Sequence, residues 1–234
     1  YTILKKLNSP EISIITIEDP IEYSLEGTTQ IQANTQVGLT FASGLRSILR
    51  QDPNIIMVGE IRDGETAGIA VNAALTGHLL LSTLHTNDAA TTFPRLIDMG
   101  VPPFLVASTV NVVMGQRLVR TVCQKCKVER KLTAEEANGV IDFIPEFKSV
   151  STKTFYAPKG CAACDGTGYA GRIGIREVLE VNEEIRTLIM NHANATQIKE
   201  AAINNGMRTM LQDGFQKAID GLTTLEEIVR LIHE

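Results

Sequence analysis

Three short runs in the first half of the chain, Ile12–Ile17, Ile55–Val58 and Leu79–Leu84, are apolar with almost no polar alternation. A strand with one wet face alternates apolar and polar residues, so runs without alternation belong to a sheet covered on both faces. Helical patterns at Gly44–Arg50 and Glu65–Leu75 lie between the runs. That order predicts βαβ units and a parallel sheet, an α/β core. Each run also ends in a polar cluster: Glu18 to Glu22, Glu60 to Asp63, and His85 to Asp88. Open α/β sheets take their ligands beyond the carboxyl ends of the strands, so these clusters are the candidate site.

Within the clusters, Val58-Gly59-Glu60 puts a carboxylate directly after an apolar strand. A carboxylate there can polarise a water in line with a γ-phosphate, or hold it through Mg²⁺. One acid at a strand end is common, and Glu60 gains weight from Glu22 and His85 at neighbouring ends. His78 and His85 flank the same strand and lie at its opposite ends, which argues against a shared metal. His85 is placed to sense phosphate, whereas His78, beside Gly77, reads equally as a hydrogen-bonded loop histidine. Arg46, Arg50 and Arg62 are near in sequence, and Arg62 can pair with Glu60, orient it or touch phosphate. For each arginine a salt bridge to Asp63 or Asp19 is the alternative.

All 4 cysteines fall in two Cys-x-x-Cys pairs, Cys123/Cys126 and Cys161/Cys164. Each pair can wrap two thiolates around one face of a metal, and two pairs close a tetrahedral shell of sulfur that leaves no open position. That chemistry suits structural zinc. Four unrelated reduced cysteines, or a redox pair, are the alternatives. Lys125, Lys127 and Lys159 would partly offset the charge of such a site.

Beyond these signals, Asp88–Met99 and Pro103–Arg120 read as helices, and Ile173–Val181 as a short strand. Helical patterns follow at Glu183–Asn191, Thr196–Asn205 and Met207–Asp220. A last helix carries Thr224 and Glu227 at capping-box spacing. The expected division is a core over residues 1–120, a cysteine module over 121–172 and a short strand plus C-terminal helical subdomain over 173–234. The net charge of −5 and the absence of tryptophan argue against nucleic acid as a partner. Tyr1 to Asn8 reads as a helix already under way, with no capping residue before it, as in a chain cut at its start.

Four phrases together resemble one family: Ile17-Glu-Asp-Pro-Ile-Glu22, Leu45-Arg-Ser-Ile-Leu-Arg-Gln-Asp-Pro53, Ile55-Ile-Met-Val-Gly-Glu-Ile-Arg-Asp63 and Thr76-Gly-His-Leu-Leu-Leu-Ser-Thr-Leu-His-Thr-Asn-Asp88. The family is the secretion-superfamily ATPases of type II secretion and type IV pilus assembly. The phrases are similar to its Asp box, Walker B region and His box, in the family's order. The likeness continues through Gln116-Arg-Leu-Val-Arg120, the cysteine pairs and Gly171-Arg-Ile-Gly-Ile175 to the helical tail.

The resemblance implies a RecA-like P-loop NTPase core that uses ATP and Mg²⁺, with Zn²⁺ in the cysteine module. It implies a hexameric ring, cytoplasmic and peripheral to the inner membrane, that acts on a platform protein there. Glu60 matches the family's catalytic glutamate and Glu22 its Asp-box carboxylate near the metal and attacking water. His85 matches the histidine near the γ-phosphate, and His78 the other histidine of that box. Retraction motors of the superfamily usually lack the cysteine module, so the resemblance favours pilus extension or export. One family element is absent: no Gly-x-x-x-x-Gly-Lys-[Ser/Thr] occurs, and the chain looks as if it begins just after that loop. These residues alone are therefore expected to bind ATP poorly and to be inactive.

Overall fold

The computed structural model describes residues 1–144 and 152–232. Along the chain its elements are α1 (Thr2–Leu7), β1 (Ile14–Glu18), β2 (Thr29–Gln32), α2 (Phe41–Ile48), β3 (Ile55–Val58), α3 (Gly64–Leu75), β4 (Leu79–Ser82), α4 (Thr92–Asp98) and α5 (Pro103–Thr109). They continue with β5 (Val112–Val122), β6 (Lys127–Arg130), α6 (Ala134–Phe143), β7 (Phe155–Pro158), β8 (Tyr169–Glu180), α7 (Glu183–Met190), α8 (Ala195–Asn204), α9 (Met210–Ile219) and α10 (Leu225–Ile232). Contacts group into two units, Tyr1–Val113 with Glu180–Ala202, and Met114–Leu179 with Ile203–Glu234. These packing units cut across the sequence division at residues 120 and 172.

The first unit is built on a parallel sheet in the order β2-β1-β3-β4. All of β1 is buried. On one face Leu4 of α1 and Leu25 pack against Ile14 and Ile55. On the other, α2 comes so close that a Cβ added to Gly44 would meet Ile17 Cδ1 at 2.1 Å. Cover on both faces is why β1 and β3 lack alternation. The run at Leu79–Leu84, expected to be covered as well, forms β4 at the end of the strand order, where Leu79 is exposed and the rest only partly buried. Fully burying one such Leu or Ile side chain is worth about 1.5–3 kcal/mol. The helices start on local caps: Thr40 and Ser43 form a capping box for α2, and Asp63 accepts from the Thr66 N–H at 2.8 Å to begin α3.

The helix expected over Pro103–Arg120 stops at Thr109, and Val112–Val122 is strand β5. The segment is rich in β-branched residues, Val110, Val112, Val113, Val119, Thr121 and Val122, whose stiff side chains suit a pleat better than a helix. The short strand expected at Ile173–Val181 is longer and starts earlier, at Tyr169.

In the second unit β5 pairs with β8, and β6 runs antiparallel to β7 with Lys127 opposite Pro158 and Arg130 opposite Phe155. Val119, Phe155, Ile175, Phe215 and Ile228 meet in its core. The Thr224–Glu227 pair, read from the sequence as a capping box, is used differently. The Glu227 carboxylate, nearly fully buried, accepts from the Arg120 backbone N–H at 2.8 Å and from its Nε and Nη2 at 3.0 and 2.6 Å. The Thr224 hydroxyl lies 3.1 Å from the Tyr169 phenol, whose ring stacks under the Arg120 guanidinium at 4.0 Å. Among the described residues no helix is long and apolar enough to cross a membrane.

Burial opposes ionisation of Glu227, but the Arg120 bonds outweigh it and hold the carboxyl below its ordinary value. A carboxylate whose folded pKa is depressed stabilises above its unfolded pKa, and that stability is lost as pH falls through the folded value. Glu227→Ala is therefore expected to lose about 2–3 kcal/mol near neutral pH. Denaturant titrations should show the deficit at pH 7 and its narrowing in acid.

Candidate active site and metal centre

β1, β3 and β4 stop together: Ile17 is the partner of Val58, and Val58 of Ser82. The residues that follow each strand therefore leave the sheet along one edge, where the sequence placed the candidate site. Glu60 is the centre of this edge. Its Oε1 lies 2.6 Å from Arg62 Nη2 and its Oε2 3.0 Å from His85 Nε2. The Glu60 side chain is 12% exposed, whereas Arg62 and His85 are 61% and 85% exposed. The Arg62 hydrogen bond holds the Glu60 carboxyl below its ordinary range; burial works against this and His85 reinforces it. Arg62 in turn has its pKa raised by Glu60. An ionised carboxylate with two donors on its solvent side can accept a proton from water while the donors face an anion.

Close packing sets the backbone before Glu60. The Gly59 N–H donates to Ile17 O at 2.7 Å, and a Cβ at Gly59 would stand 3.2 Å from Ile17 O and 3.3 Å from Glu18 Cα. Only a residue without a side chain fits there without a shift of its neighbours.

The other sequence candidates are spread more widely. Glu22 is exposed on the loop after β1, and its backbone N–H donates to Tyr1 Oη at 3.3 Å. Among the described residues no hydrogen bond or ion pair joins the Glu22 side chain to Glu60. His78 precedes β4 at the far end from His85, and its Nδ1 is 3.0 Å from Ala73 O and 3.3 Å from Thr76 Oγ1, the contacts of a loop histidine. Arg46 pairs with Glu65 at 2.7 Å, and Arg50 is exposed beyond α2. Neither is bonded to the Glu60 group, nor to Asp63 or Asp19, and Asp63 is occupied in capping α3.

Sequence reasoning passed over Glu18. This buried carboxylate at the end of β1 accepts hydrogen bonds from Tyr1 Oη, from Thr16 Oγ1 at 2.6 Å and from Gln30 Nε2 at 3.0 Å. Burial, and then the Glu18 carboxylate, push the Tyr1 phenol's pKa up. Also missed was Asp88, which accepts from the Thr91 N–H at 2.9 Å and pairs with Lys199 at 3.1 Å, tying the loop after His85 to α8. Both lie in the polar clusters, but Tyr1, Gln30 and Lys199 are distant partners that no spacing announces.

In the second unit the four cysteine sulfurs all lie within 4.8 Å of one another. Cys123 Sγ is 4.0 Å from Cys161 Sγ, Cys126 Sγ 3.8 Å from Cys164 Sγ, and Cys161 Sγ 3.7 Å from Cys164 Sγ. These are far too long for disulfides. Zinc–sulfur bonds of about 2.3 Å in a tetrahedron put sulfurs about 3.8 Å apart, so the four ligands fit zinc in number, type and spacing.

The two halves of the cluster are built alike: the N–H of Cys126 donates to Cys123 O, and that of Cys164 to Cys161 O, both at 3.2 Å. Gly160 has φ +88°, and a Cβ there would meet Gly166 O at 2.4 Å, so this turn requires glycine. Burial pushes the Cys126 thiol up to about 11. At Cys164 burial is outweighed by backbone N–H groups of Cys161 and Gly168, each 3.2 Å from Sγ, and the thiol falls to about 7. The Lys127 ammonium donates to Gly221 O at 2.9 Å and lies over the Tyr156 ring.

Comparison with known proteins gives this geometry a context. The chain is 51% identical over 229 residues to the type IV pilus assembly ATPase PilB of Thermus thermophilus, covering 98% of this chain and 25% of that protein. It is 49% identical over 236 residues to type II secretion system protein E of Pectobacterium carotovorum subsp. carotovorum, covering 100% of this chain and 45% of that protein. It thus spans from a quarter to less than half the length of these curated relatives. Among solved structures, the pilus retraction motor PilT with bound ADP superposes with a TM-score of 0.68 at 27% identity, covering 98% of this chain and 55% of that one. The family model described as type II/IV secretion system protein matches residues 1–230. With the family's model matched over nearly the whole chain and relatives sharing about half its residues, the chain belongs to the type II/IV secretion system protein family.

Proposed function

We propose that these residues form the hydrolytic side of a motor ATPase that drives type IV pilus assembly or type II protein secretion. The observation that carries the reading is Glu60: a largely buried carboxylate at the carboxyl end of β3, kept ionised by Arg62 and hydrogen-bonded to His85 from the end of β4. In this reading Glu60 takes the proton of the attacking water, and Arg62 holds it in its charged form. His85, exposed beside it, meets the γ-phosphate, and Glu22, free on the neighbouring loop, reaches the metal and water of bound nucleotide. Mg²⁺ on ATP would neutralise charge building on the phosphates. Arg46, paired with Glu65, and Arg50 stay outside this group, and His78 serves the turn before β4.

The four cysteines hold Zn²⁺ as a closed structural site, which favours an assembly or export motor over a retraction motor. By likeness to its relatives, the whole protein works as a hexameric ring, cytoplasmic and peripheral to the inner membrane, on a platform protein there. These 234 residues hold no Walker A sequence, so alone they are expected to bind ATP weakly and not to hydrolyse it.

In the whole protein, Glu60→Gln should lower kcat by at least about a hundredfold while leaving ATP binding nearly unchanged. Turnover retained by that variant, followed by phosphate release, would remove Glu60 from the chemistry. For the metal, elemental analysis should find about one zinc per chain, and Cys161→Ser with Cys164→Ser should release it and lower the melting temperature. A variant that retains its zinc would sink the four-sulfur assignment.

A further inference from the structure

Two hydrogen bonds bracket Glu60, and both end on one residue of the neighbouring strand's extension. Thr83 Oγ1 donates to Gly59 O at 2.6 Å, and the Ile61 N–H donates to Thr83 O at 3.0 Å. The peptide groups before and after Glu60 are thus both gripped by Thr83. β3 and β4 pair through Val58 and Ser82 as regular strands, so Thr83 is the first residue past the ladder. Its hydroxyl and its backbone carbonyl together carry the contact between the two strands one step further. The grip on Gly59 is two-sided, because the Gly59 N–H is held from the other direction by Ile17 O at 2.7 Å. Two residues beyond Thr83 stands His85, whose Nε2 meets Glu60 Oε2 at 3.0 Å. One short segment therefore carries both the clamp on the Glu60 backbone and the donor to its carboxylate.

We propose that Thr83 is a positioning residue for hydrolysis, its hydroxyl holding the Gly59–Glu60 peptide so that the Glu60 carboxylate stays aligned against His85. The inference rests on the reading of Glu60 as the hydrolytic base. The side chain of Thr83 is exposed, so its hydroxyl adds little to packing. Without it, the Gly59 carbonyl is tied only through its neighbours, and a glycine peptide turns easily. A carboxylate displaced by a fraction of an ångström loses alignment with the water without losing bound nucleotide.

The test uses the whole protein and three variants. Thr83→Val keeps the shape and removes the hydroxyl, Thr83→Ser keeps the hydroxyl and removes the methyl, and Glu60→Gln controls for the underlying reading. Thr83→Val should lower kcat about tenfold or more with KM for ATP within about twofold, and Thr83→Ser should recover kcat to within about twofold of the parent. A melting temperature unchanged in Thr83→Val places the loss in alignment rather than folding. Equal loss in the valine and serine variants would overturn the inference, as would raised KM with normal kcat. So would a fully active Thr83→Val, and if Glu60→Gln were inactive beside it, the reading of Glu60 would stand. Turnover by Glu60→Gln would instead bring down that reading itself.

Discussion

The contact on which the proposed chemistry of the first unit depends is the one between the Glu60 carboxylate and its two donors, Arg62 at 2.6 Å and His85 at 3.0 Å. A carboxylate so buried would be expensive to keep charged if it stood alone. Arg62, two residues further along the chain, more than offsets that cost and holds the Glu60 carboxyl below its ordinary value. Everything around it holds this arrangement: the parallel register that ends β1, β3 and β4 together, the close approach at Gly59, and the hydrogen bonds of Thr83. Arg62 and His85 themselves stay exposed at the carboxyl ends of β3 and β4.

The second unit solves a different problem. Its sheets are two-stranded, too small to be stable by themselves. An apolar core under the helices, the buried Glu227 carboxylate held by a half-exposed Arg120, and the tetracysteine cluster supply what the strands lack. Both sulfurs are buried, yet burial pushes the Cys126 thiol up while backbone N–H groups pull the Cys164 thiol down.

Much of this was legible in the residues, for identifiable reasons. Ile12–Ile17 and Ile55–Val58 announce a covered parallel sheet because both of their faces are buried, whereas Leu79–Leu84 is as apolar yet forms the partly exposed strand β4. The polar clusters follow because ligands use strand ends. The cysteine pairs announce their cluster because thiolate chemistry leaves few other uses for that spacing. What stayed hidden depends on partners far apart in sequence. β2, with only Ile31 apolar, looks like loop and is strand because β1 beside it supplies the ladder. β5 carries apolar residues at intervals that fit a helix, and pairing with β8 decides otherwise. Glu227 has the spacing of a cap, yet Arg120 claims it. Glu18, Asp88 and Thr83 are ordinary strand-end residues until their partners arrive.

The central claim is that Glu60 is the hydrolytic base and that Arg62 sets its ionisation. A carboxylate with a depressed pKa keeps its activity down to an acid limb below the ordinary carboxylate value, and removing the cation moves that limb upward. The most direct measurement is the pH profile of kcat/KM for the whole protein and its Arg62→Ala variant. The account predicts an acid limb that shifts toward higher pH in the variant. A limb that stays in place would contradict it.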